Sequence, residues 1–434
     1  MTYFSLNKEA PNVSFKEAVI RGLAPDKGLY FPSEITPLYQ DYFDSITSKD
    51  NATIAFEVIQ QFVGDDIPKL ELKKIVTEVL SFDFPLKTID ENSSALELYH
   101  GPTLAFKDVG ARFMARCLGY FNRQKSTREN VTVLVATSGD TGGAVASGFY
   151  EVDGVDVVIL YPSGKVSDIQ EKQLTTFGKN ITAIEVDGTF DDCQAMVKKA
   201  FLDENIQGKR TLTSANSINV ARWLPQMFYY FFTYKQLQFK NKDLVFSVPS
   251  GNFGNICAGM MAQRLGLPIA HFVTGTNANN VVPEYLNTGN YLPKPSVSTI
   301  SNAMDVGAPS NFIRIQELYG NNIDALRENL SGYSYTDDQT RNAMQFLFQE
   351  KEYIADPHGA IGYLALKDYL QNDDKVQGVF LETAHPVKFL DVIPTSIAQH
   401  IEIPNSIQAI MHKEKKAEKL STYTQLKDYL LKTN

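Results

Sequence analysis

Lys107 stands in the run Leu98-Tyr-His-Gly-Pro-Thr-Leu-Ala-Phe-Lys107-Asp108, and the residues after it, GARFMARCLGYF, put Phe113, Cys117 and Tyr120 at helical spacing. This pattern predicts a lysine at the start of a helix, beside the positive end of the helix dipole. A helix N-terminus and partial burial both disfavour the ammonium form, and a neutral lysine amine is a nucleophile suited to imine formation. A lone lysine is more often a surface side chain whose stem covers apolar area while its head stays in water. Spacing alone leaves both readings open.

Two glycine loops offer a different chemistry. The first is Thr137-Ser138-Gly139-Asp140-Thr141-Gly142-Gly143 and the second is Ser250-Gly251-Asn252-Phe253-Gly254-Asn255. Glycine lets a backbone approach a ligand closely, and a helix that follows presents unpaired N–H groups with a partial positive charge. Hydroxyls on Ser138, Thr141 and Ser250 add neutral donors. Both loops therefore read as anion cradles, with a plain strand-to-helix turn as the alternative. Neither fits G-x-x-x-x-G-K-[ST] or G-x-G-x-x-G, so the P-loop and dinucleotide readings, and with them a phosphate-binding kinase, lack their motifs.

The elements needed to hold such loops are legible around them. Residues up to about 90 look helix-rich, with apolar residues at three- and four-residue spacing over Ala52–Phe62 and Lys69–Leu80. Thereafter β-branched runs predict buried strands at Val131–Ala136, Val155–Leu160, Ile181–Val186, Leu244–Val248 and Gly378–Glu382. Helical patterns alternate with them at Gly143–Tyr150, Asp191–Leu202, Asn255–Leu265, Arg341–Lys351 and Gly359–Leu370. Such alternation predicts α/β layers around mostly parallel sheet. In those sheets ligands sit beyond the carboxyl ends of strands, where both glycine loops fall.

Bulk properties narrow the function classes. The 434 residues suffice for two to three domains, and 43% hydrophobic with 21% charged residues is an ordinary globular balance. A formal net charge of -9 and a pI near 5.3 argue against nucleic acid or an anionic membrane as partner, though not against a small anionic substrate. Cys117, Cys193 and Cys257 are too widely spaced to suggest a disulfide framework or a zinc site, so no metal is expected and a reducing compartment is. The opening MTYFSLNKEAPNVSF is unlike a secretory signal, and the densest apolar stretch, Met227–Tyr234, is far too short to span a bilayer. A cytoplasmic protein is expected. His358 and His385 read as proton carriers or as loop and capping residues, and Lys413–Lys419 reads as a solvated helix face.

Four segments carry a resemblance: Gly101-Pro-Thr-Leu-Ala-Phe-Lys107-Asp108, Thr137-Ser-Gly-Asp-Thr-Gly142, Pro249-Ser-Gly-Asn-Phe-Gly-Asn255 and Glu382-Thr-Ala-His-Pro-Val-Lys-Phe389. In types and order they closely resemble the threonine synthase family. The opening Ala10-Pro-Asn-Val-Ser-Phe and Arg21-Gly-Leu-Ala-Pro-Asp-Lys-Gly-Leu-Tyr-Phe-Pro32 is similar to that family's N-terminal region, in the branch where this region is long. The resemblance runs from about residue 3 to about residue 390. It implies the tryptophan-synthase-β fold (fold type II): two open α/β domains with pyridoxal 5'-phosphate (PLP) between them, plus the helix-rich N-terminal region. The expected division is residues 1–90, an α/β domain 91–235 with the lysine and first loop, and an α/β domain 236–434 with the second loop and C-terminal helices.

The implied activity is threonine synthase, a lyase that converts O-phospho-L-homoserine and water into L-threonine and phosphate, as a monomer or homodimer. By similarity, Lys107 holds PLP as a Schiff base, and the N–H groups of Gly251, Asn252, Phe253, Gly254 and Asn255 cradle its phosphate. The Thr383 hydroxyl meets the pyridine nitrogen, a neutral partner that tempers the electron sink. Ser138 and Thr141 grip the substrate carboxylate. Asp140 stands where relatives in the wider fold carry Asn, and a carboxylate facing the phenolic oxygen of PLP needs a shared proton. Its role stays open. Arg222 and Asn216, in Ser214-Ala-Asn-Ser-Ile-Asn-Val-Ala-Arg222, are candidates for the substrate phosphate, with a structural ion pair as the alternative for Arg222. Rival functions are a serine or threonine dehydratase-like PLP lyase and a non-catalytic phosphoamino-acid binder.

Overall fold

The computed structural model describes residues 1–124, 130–237, 242–371 and 375–432. In chain order its strands are β1 (Thr2–Ser5), β2 (Val13–Ser14), β3 (Tyr30–Pro32), β4 (Leu86–Asp90), β5 (Ser93–Glu97), β6 (Val131–Ala136) and β7 (Val155–Pro162). They continue with β8 (Ile181–Val186), β9 (Thr211–Thr213), β10 (Asp243–Pro249), β11 (His271–Thr276), β12 (Leu330–Ser334), β13 (Val376–Glu382) and β14 (Glu418–Leu420). They form three sheets, ordered β2-β1-β3, β12-β11-β10-β13-β5-β4 and β14-β8-β7-β6-β9.

The five-stranded sheet is parallel throughout, and the six-stranded sheet is parallel except for β4, which pairs antiparallel with β5. β6 and β13 are buried at every residue. That burial explains why their β-branched runs do not alternate with polar residues: helices cover both faces of a parallel sheet. The five strands expected from the sequence are all present, the largest extension being two residues. The helix of Lys107 spans Lys107–Arg123 and buries Val109, Phe113, Met114, Cys117 and Phe121.

The N-terminal region carries its helices at Asn51–Val63 and Lys69–Val79, the first capped by Asp50, whose side chain accepts from the Thr53 amide at 2.6 Å. It also holds the small antiparallel sheet of β1, β2 and β3. This region is not a separate body. Phe31 stacks on Trp223 with centroids 5.7 Å apart, and the buried Arg314 guanidinium lies over the same indole while donating to the Tyr30 carbonyl at 2.9 Å.

The two larger sheets each draw strands from separated stretches of the chain. β5 and β4 join the sheet built from residues 243–382, while β14, near the C-terminus, joins the sheet of residues 131–213. The chain thus crosses between these two sheets after β5, after β9 and after β13. The structure corrects the expectation for Lys413–Lys419. The preceding helix ends at Met411, and the segment runs extended into β14 rather than forming a helix face. Lys415 there pairs with Asp168 and Glu171 at 2.7 and 2.5 Å, so the alternating charges serve a docked strand.

Candidate active site

Four chain segments leave the carboxyl ends of parallel strands and meet around one cavity of ≈ 440 Å³. β6 leads to Thr137–Gly143, β10 to Ser250–Asn255, β13 to Thr383, and β5 to the segment that ends at Lys107. In the six-stranded sheet β10, β13 and β5 are neighbours, which aligns three of these exits side by side. The last two are also joined directly. Leu98 N–H donates to the Glu382 carbonyl, Phe106 N–H to the Thr383 carbonyl at 2.9 Å, and His385 N–H to the Leu104 carbonyl at 3.0 Å. The approach to Lys107 is thereby fixed against the strand that presents Thr383. Lys107, Ser138, Asp140, Thr141, Arg222, Gly251 through Asn255, and Thr383 all border the cavity, as do Asn216 and His358.

Lys107 is the first residue of its helix and its side chain is 17% exposed. Burial draws the amine below its ordinary pKa; Asp140 opposes that effect, and Lys388 and Arg222 add to it. Asp140 opens the helix Asp140–Phe149. Its carboxylate lies 3.9 Å from Lys107 Nζ but 2.6 Å from Lys388 Nζ, and Gln170 Nε2 donates to it at 2.9 Å. Lys388 is fully buried and also donates to the Thr103 carbonyl at 2.9 Å. Burial raises the Asp140 pKa, but the two lysines and Gln170 outweigh it and hold the carboxyl well below its ordinary value. The paired cation, rather than a shared proton, is what the structure supplies to Asp140.

The first loop is held by its own threonine. Thr137 Oγ1 accepts from the Gly139 and Gly142 amides at 3.0 and 2.8 Å. Gly139 adopts φ +143°, and a Cβ there would meet the Gln170 amide at 2.6 Å, so only glycine serves. Among the described residues, no hydrogen bond engages the hydroxyls of Ser138 or Thr141, which face the cavity.

The second loop is held from behind by its side chains. Asn252 Nδ2 donates to Ser217 Oγ at 2.9 Å, Asn311 Nδ2 donates to the Asn252 carbonyl at 3.1 Å, and Tyr230 OH donates to Asn255 Oδ1 at 2.6 Å. Arg314 anchors this frame by donating to Asn311 Oδ1 at 2.6 Å. Phe253 takes a left-handed conformation, φ +59°, and starts the helix Gly254–Arg264 without a side-chain cap. The amides of Gly251 through Asn255 have no protein acceptor among the described residues, and the buried Asn255 Nδ2 likewise lacks a partner. A Cβ on Gly251 would lie 2.7 Å from Met304 Cα, so the loop packs too closely there for a side chain. Uncommitted donors in a charge-free loop suit a phosphate.

Thr383 is buried and follows Glu382, whose carboxyl is buried against Asp356. Burial and that neighbouring carboxyl push the Glu382 pKa well above its ordinary value. Asp356 in turn binds His358 Nδ1 at 2.6 Å, and His358 Nε2 accepts from the Ala303 amide at 3.2 Å. His385 is a capping residue: its Nδ1 accepts from the Val387 amide at 3.1 Å, and burial lowers its pKa to about 4. Arg222 is buried, donates to the Ala215 carbonyl, and has no ion pair among the described residues, which removes the structural pairing expected as its alternative. Burial lowers its pKa to about 10, leaving it a cation.

Sequence reasoning missed the wall stretch Asn302–Gly307 and the two partners of Asp140, Lys388 and Gln170. Lys388 lies inside the Glu382–Phe389 segment, where a lysine between Val387 and Phe389 was the only signal of burial. Gln170 and the stretch Asn302–Gly307 gave none, the stretch mixing polar and apolar residues without periodicity.

A buried amine of lowered basicity, a loop of uncommitted amides with an orphaned side-chain donor, and the threonine Thr383 on the same cavity form a donor set that fits PLP. Comparisons with known proteins agree along the whole chain. A model of pyridoxal-phosphate dependent enzymes matches residues 94–380, one of the threonine synthase N terminus matches residues 2–80, and one of the threonine synthase C-terminal part matches residues 359–430. Threonine synthase of Serratia marcescens is 43% identical over 408 residues, covering 94% of this chain and 93% of that one. The crystal structure of threonine synthase from Escherichia coli superposes with a TM-score of 0.91 at 40% identity, covering 99% of both chains. PLP-bound threonine synthase from Brucella melitensis gives 0.92 at 34% identity, over 99% and 98%. Start, centre and end all find the same relatives, and the chain belongs to the threonine synthase family of PLP-dependent lyases.

Proposed function

We propose that the substrate is O-phospho-L-homoserine, which the enzyme converts with water into L-threonine and inorganic phosphate. The observation that carries this reading is Arg222, a buried guanidinium at the cavity wall with no ion pair among the described residues. A cofactor phosphate and an amino-acid carboxylate account for the two glycine loops. A third anion-binding group is needed only if the substrate bears a second anion, and a guanidinium binds phosphate in two-point fashion.

In this reading the amides of Gly251, Asn252, Phe253, Gly254 and Asn255 hold the cofactor phosphate, and Thr383 faces the pyridine nitrogen. Bound PLP supplies the electron sink that makes protons beside the amino carbon removable. Ser138, Thr141 and the amides of their loop hold the substrate carboxylate. The Lys107 amine is the base placed to move the protons at Cα and Cβ, and Arg222 with Asn216 stabilises the departing phosphate. Asp140 faces the cofactor as half of an ion pair. The buried free thiols of Cys117, Cys193 and Cys257 suit a cytoplasmic setting.

The test is product analysis. O-phospho-L-homoserine should yield threonine and phosphate in equal amounts, and threonine offered alone should not be deaminated. Lys107→Ala should fold normally and lose at least about 10³-fold in turnover, as expected when a base that acts at two carbons is removed. Deamination of threonine without phosphohomoserine turnover would overturn the reading.

A further inference from the structure

Asp140 has two lysines within reach and binds them unequally, and the unequal sharing assigns a task to Lys388. The carboxylate is 2.6 Å from Lys388 Nζ and 3.9 Å from Lys107 Nζ. Lys388 has no exposure to solvent and is held from the other side by the Thr103 carbonyl, so the pair is closed and rigidly placed. Gln170 completes the carboxylate on the same oxygen that Lys388 uses. The other nearby acid, Asp108, is bound by the Thr103 amide at 2.9 Å and hydroxyl at 2.6 Å. Asp356 is taken by His358. Among the described residues, Arg222 is the remaining charged group acting on Lys107, and it is a cation.

We propose that Lys388 is a positioning residue: by closing an ion pair with Asp140 it leaves Lys107 without a counter-ion of its own and so presents the Lys107 amine uncharged. An ammonium at Lys107 would face Lys388 and Arg222 while the carboxylate within ion-pair distance of it, Asp140, is already neutralised. An uncharged amine has the lone pair that attacks an aldehyde carbon. Without Lys388, the buried carboxylate would have Lys107 as its sole cationic partner and would favour the ammonium. The inference rests on Lys107 being the amine that carries the cofactor, a reading tested separately by borohydride reduction of the holoenzyme and mapping of the modified peptide.

The experiment uses cofactor-free enzyme and formaldehyde with cyanoborohydride, a label that reports amine reactivity without PLP or turnover. Methylation of Lys107 is quantified by mass spectrometry of its peptide as a function of pH. In Lys388→Met the midpoint of labelling should rise by about 1–3 pH units, the shift expected when a carboxylate within about 4–6 Å is freed to pair with an amine. The double variant Lys388→Met/Asp140→Asn removes both charges in similar volumes and should bring the midpoint back to or below the wild-type value. Where Lys388→Met does not fold, Lys388→Gln retains a neutral donor for the Thr103 region and should show the same upward shift. A midpoint unchanged in the folded Lys388 variant, or one that stays raised in the double variant, overturns the proposal. Either result would leave the assignment of Lys107 itself untouched.

Discussion

The loop Thr137–Gly143 and the loop Ser250–Asn255 leave a parallel strand and enter a helix in the same manner, yet their polar groups are directed differently. In the first, a side chain turns inward to bind the loop's own amides, and an acid is locked to a buried lysine. In the second, the side chains of Asn252 and Asn255 are tied to the surrounding frame, and the amides beside the cavity have no protein acceptor among the described residues. One loop carries a neutralised charge, and the other carries none. Glycine spacing marks where an anion can approach; the partners behind the glycines decide which anion is tolerated. A phosphate dianion suits the charge-free loop, whereas a carboxylate monoanion can sit beside an acid whose charge is already cancelled.

The largest effect should come from breaking the charged loop. Asp140→Ala leaves Lys388 buried without its counter-ion and should cost about 3–5 kcal/mol in denaturant unfolding. Its sign with pH follows from the depressed folded pKa. The contribution is present above the ordinary carboxyl value of 3.8 and fades as pH falls through the lower folded value. The stability gap between wild type and variant should therefore narrow on acidification below about pH 4. A gap that stays constant into strong acid would show that the loop is held by shape alone.

An intermediate effect should come from placing a charge in the charge-free loop. Asn255→Asp keeps the oxygen that accepts from Tyr230 but replaces the orphaned Nδ2 donor by an acceptor. Affinity of the cofactor-free enzyme for PLP should fall by about 10–100-fold, the size expected when a buried donor is exchanged for a mismatched group. Titration by absorbance measures it, and an unaltered affinity would erase the distinction between the loops. The smallest effect should be at Thr141, whose hydroxyl has no protein partner among the described residues. Thr141→Ala should raise KM for the amino-acid substrate by up to about tenfold, corresponding to about 0.5–1.5 kcal/mol, and leave PLP affinity unchanged. A change in PLP affinity instead would assign that hydroxyl to the cofactor.

What could be read from the sequence follows the same physics. β6, β7 and β13 announce themselves because strands buried on both faces need β-branched runs, and both loops stand out because close backbone approach needs glycine. β5 does not. Its sequence, Ser-Ser-Ala-Leu-Glu, favours helix or turn by local preference, and only pairing with β13 and β4 makes it a strand. β12, Leu-Ser-Gly-Tyr-Ser, is equally plain and is held by its neighbour β11. The site residues named from the resemblance all border one cavity, whereas Lys388 stayed hidden as one of 41 basic residues, since its burial depends on a carboxylate far away in the chain.

The crossing of the chain between sheets has a consequence for biosynthesis. β5 is the ledge from which Lys107 is reached, but its inner neighbour is β13, formed by Val376–Glu382. A nascent chain that has completed the lysine, the first loop and most of the five-stranded sheet still lacks the strand that braces the lysine's approach. At about 5–20 residues per second, the interval between synthesis of β5 and of β13 is roughly 15–60 s. Throughout that time one edge of β5 is open to the wrong strand. Capture of the cofactor in the finished geometry therefore has to wait until β13 has been made and paired with β5.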